Sequence, residues 1–441
     1  MTKEVLAQYL ACYAEPEARG YTLDGRRYSR ALVIPVFRES VQFLDGMRPA
    51  LQSISEPALV IVVVNSSSAA ADTEREHQRL LGALTSRSER LVRSSETVAP
   101  AWLGPLDDQS HHRMLVIDRA SAPWLLPRRQ GVGLARKIGF DLACACYARG
   151  QLRSPWIYST DADARLAAGH FDAEPTQPGA LVFPFMHLPS EDESLDVATW
   201  AYECSLRYHV LGLRFANSPY AWHALGSAMA VHAHAYARVR GFPKRAAAED
   251  FYLLEKVAQT APVHRASSPV VGIMARCSER VPVGTGPAVA RLLQGNSLIV
   301  EAPAAYQALL DLGRAVERAA TCGRPLMAEL HHHAALRREA ERLGLVHGLR
   351  RILDTTRSPQ AALRRWSGWF DGLKTRQLLR ALRSAHPPLR LQRALREATF
   401  LPNAIHALSH GLELQRAEAE TWWRLRGELS ALESELDRVA M

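Results

Sequence analysis

Trp156-Ile157-Tyr158-Ser159-Thr160-Asp161-Ala162-Asp163 reads as an apolar, aromatic and β-branched strand that stops at two carboxylates one residue apart. The carboxyl end of a strand is where an open α/β sheet places its ligand crevice. Two hard oxygen ligands there, separated by one alanine, suit a divalent cation. A second acidic pair, Glu249-Asp250, opens a helical pattern, where the helix dipole favours carboxylates whether or not they do chemistry. Arg276, Ser278 and Arg280 precede Gly284-Thr285-Gly286. Forked guanidinium groups beside a flexible backbone suit an anion, and two solvated arginines in a surface loop fit the same residues. His264 stands alone, as structural histidines usually do.

The elements that must carry these groups follow from hydrophobic pattern. Ala31 to Phe37, Leu59 to Val64 and Met114 to Ile117 are apolar runs of strand length. They end at Arg38-Glu39, Asn65 and Asp118. Runs apolar on both faces predict strands covered by helices on each side. Helical patterns lie between them, over about 41–51 and 73–91, and from Leu134 to about Ala148 after Gly131-Val132-Gly133. This alternation predicts a doubly wound α/β domain. Later signals are mixed: a strand at 181–185, a helix over about 191–212, a strand at 225–231 and another around 269–274. After about 288 only helical spacing of Leu, Ala, Arg and Glu remains. The reading gives an N-terminal helix and connector over 1–30, an α/β domain over 31–287 and an all-helical extension over 288–441.

The chain has 441 residues, 47% hydrophobic and 22% charged, an ordinary globular composition. No apolar run approaches the roughly 20 residues of a membrane span, and no signal-peptide core follows Met1, so a cytoplasmic protein is expected. Six scattered cysteines fit a reducing compartment. Net charge is +9, with more than half of the excess after residue 300. That balance is compatible with nucleic acid, anionic lipid or phosphorylated ligands and selects none.

Ile34-Pro35-Val36-Phe37-Arg38-Glu39, the strand ending at Asn65, Gly131 to Gly139 with Arg136, Asp161-Ala162-Asp163, and Gly241-Phe242-Pro243 followed by Glu249-Asp250 occur in one order along one domain. That order resembles the family 2 glycosyltransferases of the nucleotide-diphosphosugar transferase superfamily (GT-A fold), over about residues 31–286. The resemblance implies a Rossmann-like GT-A domain and a nucleotide-diphosphosugar donor. It implies Mn2+ or Mg2+ held by Asp163, with Asp161 beside it or on the ribose, bridging the leaving diphosphate as a Lewis acid. Pro35, Phe37 and Glu39 would lie under the donor base. Arg136 would stand near the donor phosphates at a helix start that favours anions. Asp250 would be the base that takes the acceptor proton, with Glu249 able to replace it in that role. His264 is a candidate further metal ligand. Asn65 departs from the family, where an Asp is usual; Asp118 is a second donor-site candidate or a loop cap. Arg276 and Arg280 would close over the diphosphate or hold a charged acceptor. Trp222, Gly226 and Ser227 would line an acceptor pocket, the aromatic ring stacking on sugar, although a core role suits Trp222 equally.

The expected activity is transfer of one sugar to a hydroxyl of a small soluble acceptor, inverting at the sugar carbon. Processive membrane-bound relatives add spans and a Gln-x-x-Arg-Trp motif that this chain lacks. A retaining glycosylglycerate-type synthase on the same fold is the first alternative. A sugar nucleotidyltransferase is another, although the Gly-rich basic signature expected after its first strand is replaced by Val36-Phe37-Arg38-Glu39. Last comes a non-enzymatic scaffold whose basic tail binds nucleic acid or an anionic surface. The tail has no nucleic-acid motif and its basic residues are read as alternating with Glu, so no nucleic-acid partner is expected. The helical extension could support a homo-oligomer.

Overall fold

In the computed structural model, which describes residues 2–67, 71–92, 96–108, 110–277, 284–412 and 419–440, the apolar runs at 31 and 59 become strands buried along their whole length. In chain order the first twelve strands are β1 (Ala31–Val36), β2 (Leu59–Asn65), β3 (Arg90–Leu91), β4 (Ala101–Pro105), β5 (Arg113–Arg119), β6 (Trp156–Ser159), β7 (Ala164–Arg165), β8 (Ala180–Val182), β9 (Phe185–Leu188), β10 (Met229–His232), β11 (Val263–Arg265) and β12 (Val271–Met274). Among the described residues, nine of them form one mixed sheet in the order β11-β8-β10-β6-β1-β2-β5-β4-β3. Its centre is parallel, with β1 between β2 and β6 and β2 beside β5. Antiparallel strands flank that centre: β10 against both β6 and β8, and β4 against β5. The architecture is therefore α/β with a mixed sheet.

Pro35 sits in the central strand β1, where a residue without an N–H is out of place. Val33 O accepts from Thr160 N at 3.1 Å, so Val33 and, two residues on, Pro35 face the β6 side. Strand β6 ends at Ser159, opposite Val33. The missing N–H of Pro35 therefore costs no ladder bond, and it faces the turn that carries Asp161.

The helix Gly131–Ala148 packs across β1 and β2. Its Lys137 and Asp141 turn towards the N-terminal helix Thr2–Cys12. Lys137 Nζ donates to Asp141 Oδ2 at 2.7 Å and to Tyr9 Oη at 2.8 Å, and Tyr9 and Tyr236 hydroxyls donate to Asp141 Oδ1 at 2.5 and 2.9 Å. The first helix is thus part of the α/β core by polar contacts that no apolar pattern announces.

Contact divides the chain into two units, one built from Met1–Leu188 and Ala224–Met274, the other from Pro189–His223, residues 275–277 and Gly284–Met441. The long helix Glu193–Phe215 belongs to the second unit. Asp192 caps it, accepting from Ser194 N and Leu195 N, and it packs against the last helix, Ala419–Ala440. Between them lies a buried ionic group. Arg207 donates to Glu203 at 2.8 and 3.0 Å and to Glu433 at 2.5 Å, and Glu433 also meets His223 Nε2 at 2.8 Å. The helical unit also carries one short antiparallel ladder, Ile299–Val300 with Leu389–Arg390. Among the described residues no helix is long and apolar enough to cross a membrane.

Candidate functional site

The acidic turn after β6 is held from both sides. Ala164 N donates to Asp161 O at 3.1 Å, closing the turn, and Met274 N donates to Asp163 O at 2.9 Å. The chain then enters β7, which pairs with β12 in a second sheet of order β7-β12-β9. Asp161-Ala162-Asp163 is therefore the segment where the chain leaves the main sheet for the small one. It stands at the carboxyl ends of the parallel strands, the side on which open α/β sheets bind ligands.

Arg136 organises what faces that turn. It is 3% exposed. Its Nε donates to Glu249 Oε1 at 2.8 Å, Nη1 to Ser159 Oγ at 2.7 Å and to Gly226 O at 3.0 Å, and Nη2 to Asp161 Oδ1 at 2.5 Å. Burial alone would lower its pKa; Asp161, Glu249 and Asp250 more than reverse that, so the guanidinium stays charged. Gly226 has to be glycine for this packing, because a Cβ there would lie 2.3 Å from Nη2. Arg136 is the residue expected near the donor phosphates. Its forked donors are spent on protein carboxylates, a hydroxyl and a carbonyl.

The helix start that was to favour phosphate is also covered. Gly133 N donates to Arg245 O at 2.9 Å. A Cβ on Gly133 would come within 2.5 Å of Arg245 O and 2.6 Å of Pro243 O. The glycines at this helix start let it dock on the backbone that follows Gly241-Phe242-Pro243, the segment that delivers the second acidic pair.

That pair starts the helix Glu249–Ala258, preceded by Ala248 in the left-handed region at φ 59°. A non-glycine residue there is strained by about 1–2 kcal/mol, which the surrounding contacts must offset. Glu249 is buried on Arg136. Asp250 is half-buried and differently served: Oδ2 accepts from Gly226 N at 2.8 Å and Oδ1 from Phe251 N at 2.7 Å. Protein crowded around the carboxyl pushes its pKa up to about 7, and repulsion from Glu249 adds to this. Arg136 and the two backbone N–H groups pull the other way without cancelling it. Gly226 thus serves both acidic motifs, its carbonyl on Arg136 and its N–H on Asp250. Ser227 O accepts from Thr160 Oγ1 at 3.0 Å, fixing the same segment to the end of β6.

The remaining candidates are spread more widely. Asn65 is buried and donates Nδ2 to Val36 O at 3.0 Å and Val63 O at 3.3 Å, a task that needs an amide and that a carboxylate cannot do. Asp118 caps the loop after β5, accepting from Ala120 N and Ser121 N at 2.9 Å each. Phe37 packs on the His77 ring, 5.5 Å between centroids, and Glu39 is half-buried in the loop after β1. His264 is not brought to the aspartates. It lies on β11, its ring 6.2 Å edge-on from Trp156 at the opposite end of β6, its Nε2 2.9 Å from Gln177 O. Trp222 and Arg276 belong to the second unit. Trp222 is buried with its ring 5.4 Å from Tyr220, which is the core role. Arg280, with Ser278, lies outside the described residues. Ser159 is the contributor the sequence reading passed over; it ends the strand whose aspartates drew attention, but only the position of Arg136 reveals its use.

Among the described residues no three or more His, Cys, Asp or Glu side chains are grouped as a cation cage. A cation held by one or two protein carboxylates and completed by substrate phosphates and water, as magnesium usually is, needs fewer ligands; Asp161 and Asp163 are the carboxylates of this turn, and Asp161 Oδ1 is bonded to Arg136 Nη2. A cavity of about 810 Å³ lined by Tyr28, Ser29, Tyr147, Leu152 and His234, among others, contains none of these residues. It lies where β1 begins, away from the acidic turn.

No family model matches the chain, and no curated protein does. Among solved structures the chain is similar to a mannosyltransferase from Pyrobaculum calidifontis in complex with GDP-Man and Mn2+. Identity is 13%, coverage is 99% of each chain, and the TM-score is 0.36. A likeness at that level carries no weight for fold or function.

Proposed function

We propose that the α/β unit is a GT-A-type glycosyltransferase that moves one sugar from a nucleotide-diphosphosugar to an acceptor hydroxyl with inversion. The observation that carries this reading is the coupling of two acidic motifs through one buried arginine. Arg136 ties Asp161 of the strand-end pair to Glu249, the neighbour of Asp250. Sugar transfer from a diphosphate needs both halves: negative charge grows on the leaving group while a proton leaves the acceptor.

A divalent cation on Asp163 and Asp161 would supply Lewis-acid stabilisation of the leaving diphosphate. The chain's own groups do the rest. Asp250 accepts the acceptor's hydroxyl proton as the new C–O bond forms on the face opposite the departing diphosphate. A carboxyl pKa near 7 suits that work, because about half of the base is then ionised at neutral pH and it is basic enough to take the proton. The N–H groups of Gly226 and Phe251 fix the carboxylate's orientation. Glu249 is committed to Arg136, so between the two acids the base is Asp250. Asn65 and Asp118, engaged in backbone caps, are not required for donor recognition on this reading, and neither is Arg136.

The test is a thermal-shift panel of nucleotide-diphosphosugars with and without Mn2+. At least one donor should stabilise the protein only with the metal, and Asp163→Ala should abolish that shift. Asp250→Asn should keep the shift and lose transfer. Absence of a shift with every donor would sink the donor-site assignment; normal transfer by Asp250→Asn would remove it as the base.

A further inference from the structure

From Arg337 to Glu397 the chain carries 15 Lys and Arg against 5 Asp and Glu, whereas the rest carries 39 against 40. The basic excess of the whole protein therefore sits in one stretch of the helical unit, and the alternation with Glu expected for the tail fails there. Much of that stretch is locally neutralised. Arg338 and Arg342 pair with Glu339, Arg383 with Glu301 and Arg393 with Glu397.

One place is not. The helices Leu345–Asp354 and Pro359–Trp369 pack against each other, burying Leu349 and Ile352 of the first and Ala362 and Trp366 of the second. Arg350 and Arg351 in the second half of the first helix, Arg357 in the connector, and Arg364 and Arg365 in the second helix are all exposed. Arg365 Nη1 donates to Thr355 Oγ1 at 2.8 Å, which ties the second helix's basic pair to the connector that carries Arg357. Among the described residues no carboxylate pairs with Arg350, Arg351, Arg357 or Arg364, and the one acidic residue between 350 and 365 is Asp354. The C-terminal end of the first helix, worth about half a negative charge, offsets only a fraction of five positive ones.

We propose that this end of the hairpin is a docking surface for an anionic lipid bilayer. The charge is complementary to phosphate headgroups, and the residues between the arginines, Thr355, Thr356 and Ser358, are small and polar. That composition fits adsorption onto a charged surface without insertion. Nucleic-acid readers place an element in a groove or stack bases on aromatic rings. Here Trp366 is buried, and Trp369 packs over Gly348, where a Cβ would lie 2.1 Å from its ring. Lys374 Nζ lies over the Trp369 ring at 5.0 Å, so neither tryptophan of the hairpin is open to stack on a base. The surface is independent of the proposed transferase activity.

Flotation of the full chain with vesicles tests it. Equimolar phosphatidylcholine and phosphatidylglycerol should retain the protein at low salt, and phosphatidylcholine alone should not. Retention should fall away as added salt shortens the Debye length to about 3 Å. Each arginine near an anionic surface contributes about fivefold to partitioning, so Arg350→Gln, Arg351→Gln and Arg364→Gln together should lose roughly a hundredfold. Circular dichroism would confirm that this variant is folded. Neutralising Arg79, Arg128 and Arg129, exposed arginines of the α/β unit, should leave binding nearly unchanged. Equal retention on the two vesicle types, no retention on either, a triple variant that binds like the wild type, or tighter binding to duplex DNA or RNA than to the mixed vesicles would overturn the proposal.

Discussion

At the scale of single residues, the two acids at the start of the helix Glu249–Ala258 have been sorted by their hydrogen bonds. Glu249 faces a guanidinium and Asp250 faces two backbone N–H groups. The consequence is a pH dependence of known sign. If Asp250 is the base, kcat/KM rises with pH as its carboxyl ionises and levels off above about 7. Glu249→Gln should lower the rate through loss of the Arg136 contact yet keep a rising acid limb. A profile flat from pH 5 to 8 would contradict the assignment. Adjacency in sequence could not have separated these acids, because residues i and i+1 on a helix point in different directions. Asn65 teaches the same lesson in reverse. Read along the chain it is a departure from a family pattern; in space its amide donates to Val36 O and Val63 O, which explains the departure without reference to nucleotide.

At the scale of elements, the strands β1, β2, β5 and β6 and the helix Gly131–Ala148 were legible because burial on both faces leaves an uninterrupted apolar signature. The end of β6 was legible because two carboxylates interrupt that signature. What the pattern could not provide was direction across elements. Arg136 has the same helical spacing whether it points at a bound phosphate or at Asp161. Of the small sheet, β12 was legible around 269–274, whereas β7 and β9 were hidden by their shortness, although the sheet holds Asp163 O. This arrangement makes Arg136 a joint between a helix, a strand end, the Gly226 loop and a second helix. Arg136→Met should leave Asp161 and Glu249 without a counter-charge, and unpairing a buried ion costs about 3–5 kcal/mol. Chemical denaturation would read that loss. Arg136→Lys, which keeps the charge but cannot bridge two carboxylates and Gly226 O at once, should fall between. If Arg136→Met were as stable as the parent, the joint would be dispensable to folding.

At the scale of the whole molecule, each unit contains a buried arginine set among carboxylates, Arg136 in the α/β unit and Arg207 in the helical one, and the carboxyls Asp250 beside the first and Glu433 beside the second titrate in opposite senses. Glu433 is buried, which by itself would raise its pKa, but His223, Arg207 and Arg214 outweigh burial and hold the carboxyl below its ordinary value. A carboxyl depressed in the folded state contributes stability above its unfolded pKa and loses it as pH falls through the folded one. Asp250 is raised in the folded state. Its contribution is complete below the unfolded pKa of about 3.9 and is lost as pH rises to about 7. The stability of the chain is therefore expected to be eroded from both sides, by acid through Glu433 and towards neutrality through Asp250. On linkage grounds the Asp250 side is worth roughly 2–4 kcal/mol. Thermal unfolding followed from pH 3 to 8 separates the two. Glu433→Gln should flatten the acid limb and leave the fall towards pH 7 in place, and Asp250→Asn should do the converse. The same Asp250→Asn substitution removes the proposed base, so a variant stabilised near pH 7 that has lost transfer would show that stability is given up at this position to keep a half-buried carboxylate ready to accept a proton. A variant with an unchanged slope between pH 4 and 7 would mean that Asp250 titrates alike in the folded and unfolded chain, and would leave the base without its tuned pKa.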